Sequence, residues 1–385
     1  RGLLRCPEAG ARMGEFGVGS RGEGDFYVHK KIAEIIGDTG ALVDAGEQDD
    51  AGEVAGDGRY ITLAVDGMHS RLSEFPFLAG FHAARATLRD IYVMGSRPVA
   101  MLSDLHLADD GDVGKLFDFT AGVAAVGELT STPLVSGSTL RIGGDMVLGE
   151  RLVAAVGAVG VSDSLPKARR DAEVGDVILL TEGSGGGTIT TIAIYNAWYD
   201  VILETLNVDF MRACKVLADD GLLDRLHAMA DVTNGGLRGD AEEISSTAGK
   251  RLVFHGEVLE RAVDPRVLEM LRSLGIDPLG ISTDSLMLIL PEGDVDEVKS
   301  ALEKVTGVHE VGYVEEGKGA RIIEGGKERD FKPLFREAPY TRVKKVVGEK
   351  APEGAVLMRK GIDRATEGAV EKKRDILKYI KGDRG

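Results

Sequence analysis

The chain has 385 residues, 43% of them hydrophobic and 5% aromatic, enough apolar material for two cores. Its net charge of −16 leaves no basic stripe for a nucleic-acid backbone, and no apolar run reaches the roughly 20 residues of a membrane span. Cys6 and Cys214 are too few for a disulfide framework or zinc cluster, so the composition predicts a cytoplasmic protein without nucleic-acid or membrane partners.

Arg1–Arg12 precede Met13 and carry no periodic pattern, which predicts a disordered leader over 1–12. Tyr60–Val65 is rich in β-formers, and Phe81, Ala84, Leu88 and Tyr92 then recur at helical spacing until Gly95 and Pro98. Strand, loop and helix follow in that order. Val99–Leu105 predicts a second strand, and Leu116, Phe119, Val123 and Val126 a second helix. Leu152–Val161, a long apolar strand interrupted by glycine, closes a first domain (13–164) near Ser164. Val177–Leu180 opens a second α/β domain (165–335), with Leu286–Leu290 as a buried strand. A basic appendage (336–385) carries Arg342, Lys344 and Lys345. Its last helix, within Ile362–Lys381, is expected to dock on the body, and the tail offers a docking element for a protein partner.

Carboxylates collect where strands end and loops turn. Asp49 and Asp50 lie in Gln48-Asp49-Asp50-Ala51-Gly52, and Asp66 ends the Tyr60–Val65 strand before Gly67. Each alone also reads as an ordinary turn aspartate. Asp90 shares a helical face with Ala83, Ala86, Thr87 and Met94, where an unpaired buried carboxylate would be costly. Arg85 and Arg89 offer it an ion pair; a cation is the alternative. Asp231 completes the set in Asp231-Val232-Thr233-Asn234-Gly235-Gly236-Leu237, ahead of a helix starting near Arg238. Carboxylates without His or Cys at zinc spacing suit a hard cation such as Mg²⁺, which shares its oxygen ligands with phosphates. None of His29, His69, His82, His106, His227, His255 and His309 is placed as an obvious catalytic base.

Two glycine-rich stretches remain. Glu182-Gly183-Ser184-Gly185-Gly186-Gly187 lies between a strand and a helix starting near Thr188, and reads either as a phosphate-binding loop or as a tight turn. Gly17, Gly19 and Gly22 spell GxGxxG without a preceding strand, so the dinucleotide reading lacks its context and a flexible loop is the alternative.

In order from Gly17 to Leu290, these motifs resemble the aminoimidazole ribonucleotide synthetase superfamily, which includes thiamine monophosphate kinase, selenophosphate synthetase and the hydrogenase-maturation dehydratase. Asp49-Asp50-Ala51 resembles its Asp-Asp-Ala-Ala turn, and Val65-Asp66-Gly67 its strand-end Thr-Asp. Leu88-Arg89-Asp90-Ile91-Tyr92-Val93-Met94-Gly95 is similar to the selenophosphate synthetase segment Ile-Ser-Asp-Ile-Tyr-Ala-Met-Gly. Asp231-Val232-Thr233 with its following Gly-Gly-Leu is similar to Asp-Val-Thr-Gly-Phe-Gly-Leu of the same relative.

The resemblance implies a mixed α/β (α+β) fold of two domains, whose N-terminal sheets pair in a homodimer and whose C-terminal domain is a mixed sheet with helices. It implies ATP near the dimer interface and Mg²⁺ on Asp50 (or Asp49), Asp66, Asp90 and Asp231. Gly17, Gly19, Asp49, Gly137 and Thr139 join these as expected ATP-binding residues, with Arg21 and Lys30 as catalytic cations.

Two departures bear on the substrate. Ser136-Gly137-Ser138-Thr139 lacks the acid of the kinase's Gly-Asp-Thr, and Gly17-Val18-Gly19-Ser20-Arg21 replaces the Gly-Cys-Gly-Cys-Lys of selenophosphate synthetase. Val18 has no ionisable atom, so selenophosphate is not an expected product. The expectation is an Mg-ATP-dependent phosphotransferase or synthetase acting on a small acceptor. A thiamine monophosphate kinase-like activity and a nucleotide-binding maturation factor are the alternatives.

Overall fold

Two sheets organise the chain in the computed structural model, which describes residues 6–19, 22–47, 49–143, 150–233, 235–335 and 350–381. α1 (Met13–Phe16) stops at Gly17, whose φ of 78° is left-handed, and α2 (Glu23–Ile36) follows. β1 (Gly52–Gly56) and β2 (Arg59–Gly67) form a hairpin. After it come α3 (Pro76–Val93), β3 (Arg97–Ala108), α4 (Gly114–Thr130), β4 (Leu134–Ile142) and β5 (Leu152–Ser162). The first sheet runs β1-β2-β5-β3-β4, antiparallel except where β3 meets β4.

The second unit contains β6 (Asp176–Thr181), α5 (Gly187–Tyr195), α6 (Tyr199–Glu204), α7 (Asp209–Asp219), β7 (Ala228–Asp231), α8 (Gly236–Ala248) and β8 (Arg251–His255). It continues with α9 (Gly256–Leu259), α10 (Pro265–Leu274), β9 (Leu286–Pro291), α11 (Val295–Leu302), β10 (Val308–Glu315), β11 (Gly319–Glu324) and β12 (Lys327–Asp330). Its sheet order is β12-β11-β8-β10-β6-β9-β7. The mixed α/β architecture matches the expectation, and every strand read from the apolar runs lies within a strand of the structure.

α3 is the element on which the site is built. Pro76 at its first turn presets φ, and Gly95, at φ 78°, lies just past its end. Its apolar stripe, including Leu88 and Ile91, is fully buried in a core that also takes in Phe119, Val123, Leu286 and Leu288, so helix and both units share one interior. Each such side chain contributes ~1.5–3 kcal/mol relative to exposure. α3 and α4 approach closely at reciprocal glycines. A Cβ on Gly80 would meet the Phe119 carbonyl oxygen at 2.1 Å, and one on Gly122 the Phe77 carbonyl oxygen at 2.1 Å.

The opposite face of the first sheet is open. Register puts Val65, Gly157 and Leu102 on one face, and Val153, His106 and Leu140 on the same face four residues along. Leu63, Val65, Leu102, Leu140 and Val153 are all at least 44% exposed.

The terminal helix α12 (Ala355–Lys381) starts seven residues ahead of the expected span and lies against α2. Tyr27 donates to Asp363 at 2.6 Å, Lys373 donates to the Ile35 and Ile36 carbonyls at 2.8 and 2.7 Å, and Ile362 joins Phe16 and Phe335 in an apolar cluster. Residues 6–12, expected as a disordered leader, run along this helix, and a Cβ on Gly361 would strike the Ala9 carbonyl. The basic stretch Arg342–Lys345 lies outside the described residues. Among the described residues no helix is long and apolar enough to cross a membrane.

Candidate active site

A cleft of about 350 Å³ opens where α3 faces the start of α5. Asp50, Asp66 and Asp90 line one wall. Gly186, Gly187 and Thr188, from the glycine-rich loop and first turn of α5, line the other, so that loop belongs to the cleft. Its glycines are needed there: a Cβ on Gly186 would come within 2.7 Å of Asp284 Oδ2.

Two buried ion-pair networks frame the walls. Arg89 donates from Nε to Asp231 Oδ2 at 2.9 Å and places Nη1 2.6 Å from Asp284 Oδ2; Arg85 Nη2 lies 3.3 Å from the same oxygen. Arg85 Nη1 also donates to the carbonyls of Thr205, at 2.5 Å, and Gly185. Burial alone would lower the pKa of Arg89, but Asp284 and Asp231 more than offset it. Burial lowers Arg85 to about 10, with Asp284 opposing. Burial pushes Asp284 up, yet Arg89 and Arg85 outweigh it and hold this carboxyl below its usual range. The site thus keeps a charged Arg89 between two carboxylates.

The second network holds the Asp49-Asp50 turn. Arg169 sits 2.5 Å from Asp50 Oδ1 and 3.2 Å from Asp240 Oδ1, pairs with Glu243, and donates its backbone N–H to Asp49 Oδ2 at 2.9 Å. Four carboxylates face one guanidinium. Burial pushes Asp50 well above its ordinary value; Arg169 opposes this, while Asp231, Asp49 and Asp90 add to it. Such a surplus of negative charge is what a divalent cation relieves.

The expected site residues divide accordingly. Asp50, Asp66, Asp90 and Gly19 line the cleft, and the Gly19 amide donates to Asp25 Oδ1 at 2.8 Å. Asp231 lies behind, against Arg89, and Asp49 behind Asp50. Gly17 ends α1, Lys30 is exposed on α2, and Gly137 and Thr139 stand on the edge strand β4; none of these lines the cleft. Arg21 lies outside the described residues, as does Ser20. Val18 packs with the Phe16 and Phe335 cluster, an apolar setting where the resembling enzyme has its thiol.

The oxygen donors fit Mg²⁺ shared with phosphates. Asp50 Oδ2, Asp231 Oδ1 and Thr233 Oγ1 are buried without a hydrogen-bond partner among the described residues, beside Asp66 and Asp90. Among the described residues no three His, Cys, Asp or Glu side chains already close on a metal position. Mg²⁺ in nucleotide sites takes one or two carboxylates plus phosphate oxygens and water, so an open cleft suits it better than a cage.

Sequence reasoning missed Arg169, Asp284, His69 and His82 as site residues. Asp284 lies two residues before β9, whereas Asp66 and Asp231 stand at the C-terminal ends of β2 and β7, so its signal was a charge beside an apolar run rather than a strand-end aspartate. His82 stands four and eight residues before Ala86 and Asp90, on one helical stripe, and all three line the cleft. Arg169 carried no signal, because it lies in the polar stretch between the two domains.

Residues 48–162 match the AIR synthase related protein N-terminal domain and residues 173–324 its C-terminal domain, together more than half the chain. An uncharacterized protein of Methanocaldococcus jannaschii is 59% identical over 98% of this chain and 84% of its own. Thiamine-monophosphate kinase of Methanopyrus kandleri is 27% identical over 65% of this chain and 76% of its own. Among solved structures, ThiL complexed with AMPPCP and TMP matches with TM-score 0.61 at 20% identity, over 81% of this chain and 96% of that one. The hydrogenase maturation protein HypE in complex with ATP matches with TM-score 0.60 at 18% identity, over 77% and 90%. With both domains matched in order, the chain belongs to the AIR synthase-related family.

Proposed function

We propose that this protein is an Mg-ATP-dependent phosphotransferase or synthetase that activates a small acceptor and works as a homodimer. One observation carries the reading: Asp50, Asp66 and Asp90 face the amide-bearing start of α5 across a single cleft. Anionic oxygens on one wall and helix-terminal N–H groups on the other are complementary to a polyphosphate with its cation. Mg²⁺, when bound to these aspartates, would neutralise phosphate charge. Gly186, Gly187 and Thr188 would orient phosphate oxygens, while Arg89, held charged between Asp231 and Asp284, would supply a fixed positive potential. Gly19 and Asp25 would close the cleft from the N-terminal side.

The nucleotide complexes of ThiL and HypE support the ATP reading by fold likeness. The open apolar face of the first sheet supports the dimer, since a contiguous apolar patch of this kind marks an association surface. The test is turnover: incubation with Mg-ATP and candidate acceptors should release ADP or AMP in an acceptor-dependent way. Tight Mg-ATP binding without turnover for any acceptor would favour the nucleotide-binding maturation factor instead.

A further inference from the structure

A second cavity, of about 560 Å³, lies at the other end of the first sheet, where the starts of β2 and β3 and the end of β5 meet the side of α7. It shares no lining residue with the aspartate cleft. The charge around the two differs as well. Arg59, Arg97 and Lys215 stand against Asp163 and Asp219 here, a cationic excess in a chain of net charge −16, whereas the cleft sets five aspartates around Arg89. An anion entering the cleft needs a metal ion with it; one entering this cavity does not.

Arg59 lies 3.1 Å from Asp163 and Lys215 2.7 Å from Asp219, but all four side chains are more than half exposed, so water screens these pairs and leaves the cations able to exchange partners. Arg97 is exposed and has no ion-pair partner among the described residues. Tyr92 supplies a neutral donor beside it. Its hydroxyl has no hydrogen-bond partner among the described residues, yet it is not one of the side-chain atoms sealed from solvent. The groups whose charge its phenol feels, Cys214, Asp219 and Arg97, all line the cavity, so the hydroxyl opens into it. Burial, with Cys214 and Asp219 adding and Arg97 opposing, pushes this phenol up to about 12, so it keeps its proton and donates. The carbonyls at the ends of α3 and α4, which would repel an anion, are taken up by the amides of Gly95, Ser96, Ser131 and Thr132. Val161 and Leu223 give the cavity an apolar side.

We infer that this cavity is a second, metal-independent binding site for a small organic anion, whose phosphate or carboxylate head accepts from Tyr92 and Arg97 and whose apolar body lies on Val161 and Leu223. The site stands apart from the Mg-ATP reading of the cleft and does not depend on it. Its position between the two units, with few polar groups converging beside an apolar wall, is the usual setting of a small-molecule site. A charged head on Arg97 and the Tyr92 hydroxyl gives orientation, and the apolar wall gives affinity.

The test titrates naphthyl phosphate and naphthoate into the full-length protein in EDTA, followed by fluorescence anisotropy, with naphthol and inorganic phosphate as body and head alone. At least one of the two anions should saturate a single site per chain at sub-millimolar concentration, and the tighter of them identifies the head group. Naphthol and inorganic phosphate should each bind at least about tenfold more weakly. Arg97→Gln should weaken the anion at least about tenfold and Tyr92→Phe at least about threefold, with melting temperatures close to wild type. Arg97 is exposed, so its variant keeps the test decisive even if Tyr92→Phe fails to fold. Saturating Mg²⁺ and AMPPCP should leave the probe bound. No saturable binding in EDTA, equal affinity in Arg97→Gln, naphthol or inorganic phosphate binding as tightly as the anions, or displacement by Mg²⁺ and AMPPCP would overturn the inference.

Discussion

Replacing Arg169 with methionine would remove the cation that joins the Asp49-Asp50 turn to α8 while keeping most of the side-chain volume. Arg169 and Asp50 are both buried, with Asp240 and Glu243 completing the cluster. Opposite charges about 4 Å apart attract by about 4 kcal/mol at an effective dielectric of 20, and breaking one partner of a buried pair typically costs about 3–5 kcal/mol. Protonation caps the loss, because burial already pushes Asp49 and Asp50 upward. The expected cost of R169M is therefore about 3–5 kcal/mol, read from guanidinium unfolding curves. Adding Asp50→Asn to R169M should recover about 1–2 kcal/mol, since it removes one of the stranded charges. An R169M protein within about 1 kcal/mol of wild type would show that the cluster does not hold the turn.

Three further outcomes follow from separate contacts. His82 has a folded pKa of about 3 against 6.5 for the free group, so below pH 6.5 the unfolded chain binds a proton that the folded chain refuses. Its contribution is complete above pH 6.5 and falls with pH; wild type should lose about 2 kcal/mol more than H82Q between pH 7 and pH 5, and parallel urea-melt stabilities would refute this. Val65→Lys, on the open face of the first sheet, should convert a dimer to a monomer by light scattering, and a wild type already monomeric at micromolar concentration would remove the dimer proposal. Deleting residues 350–385 strips α12 from α2, which carries Asp25 and His29 to the cleft, so Mg-ATP affinity should fall at least about fivefold while the dimer persists. Unchanged affinity would mean that α12 does not brace the site.

Much of the fold was legible because apolar periodicity reports burial directly. β2, α3, β3, α4, β5, β6 and β9 each carry a run or stripe that only one element satisfies. β4 was not legible: an edge strand reading Leu-Val-Ser-Gly-Ser-Thr-Leu has little inward-facing apolar content. The docking of residues 6–12 on α12 joins chain ends, and no local pattern encodes it. At the site, strand-edge aspartates were legible because a charge beside an apolar run demands a partner. Which partner each has was not, since Arg169 reaches Asp50 across 119 residues and Arg89 reaches Asp231 across 142. The histidines were missed for a related reason: the threonines bonded to His82 and to one another, Thr190 on α5 and Thr205 just after α6, lie far along the chain.

The central claim is that the aspartate cleft binds Mg-ATP, and calorimetric titration of Mg-ATP into wild type, Asp66→Asn and Asp90→Asn tests it most directly. Each substitution removes an anionic oxygen ligand at nearly constant size, so the account predicts saturable binding to wild type and affinity at least about tenfold weaker in both variants, with folding midpoints preserved. No binding to wild type, or equal affinity in all three proteins, would contradict it.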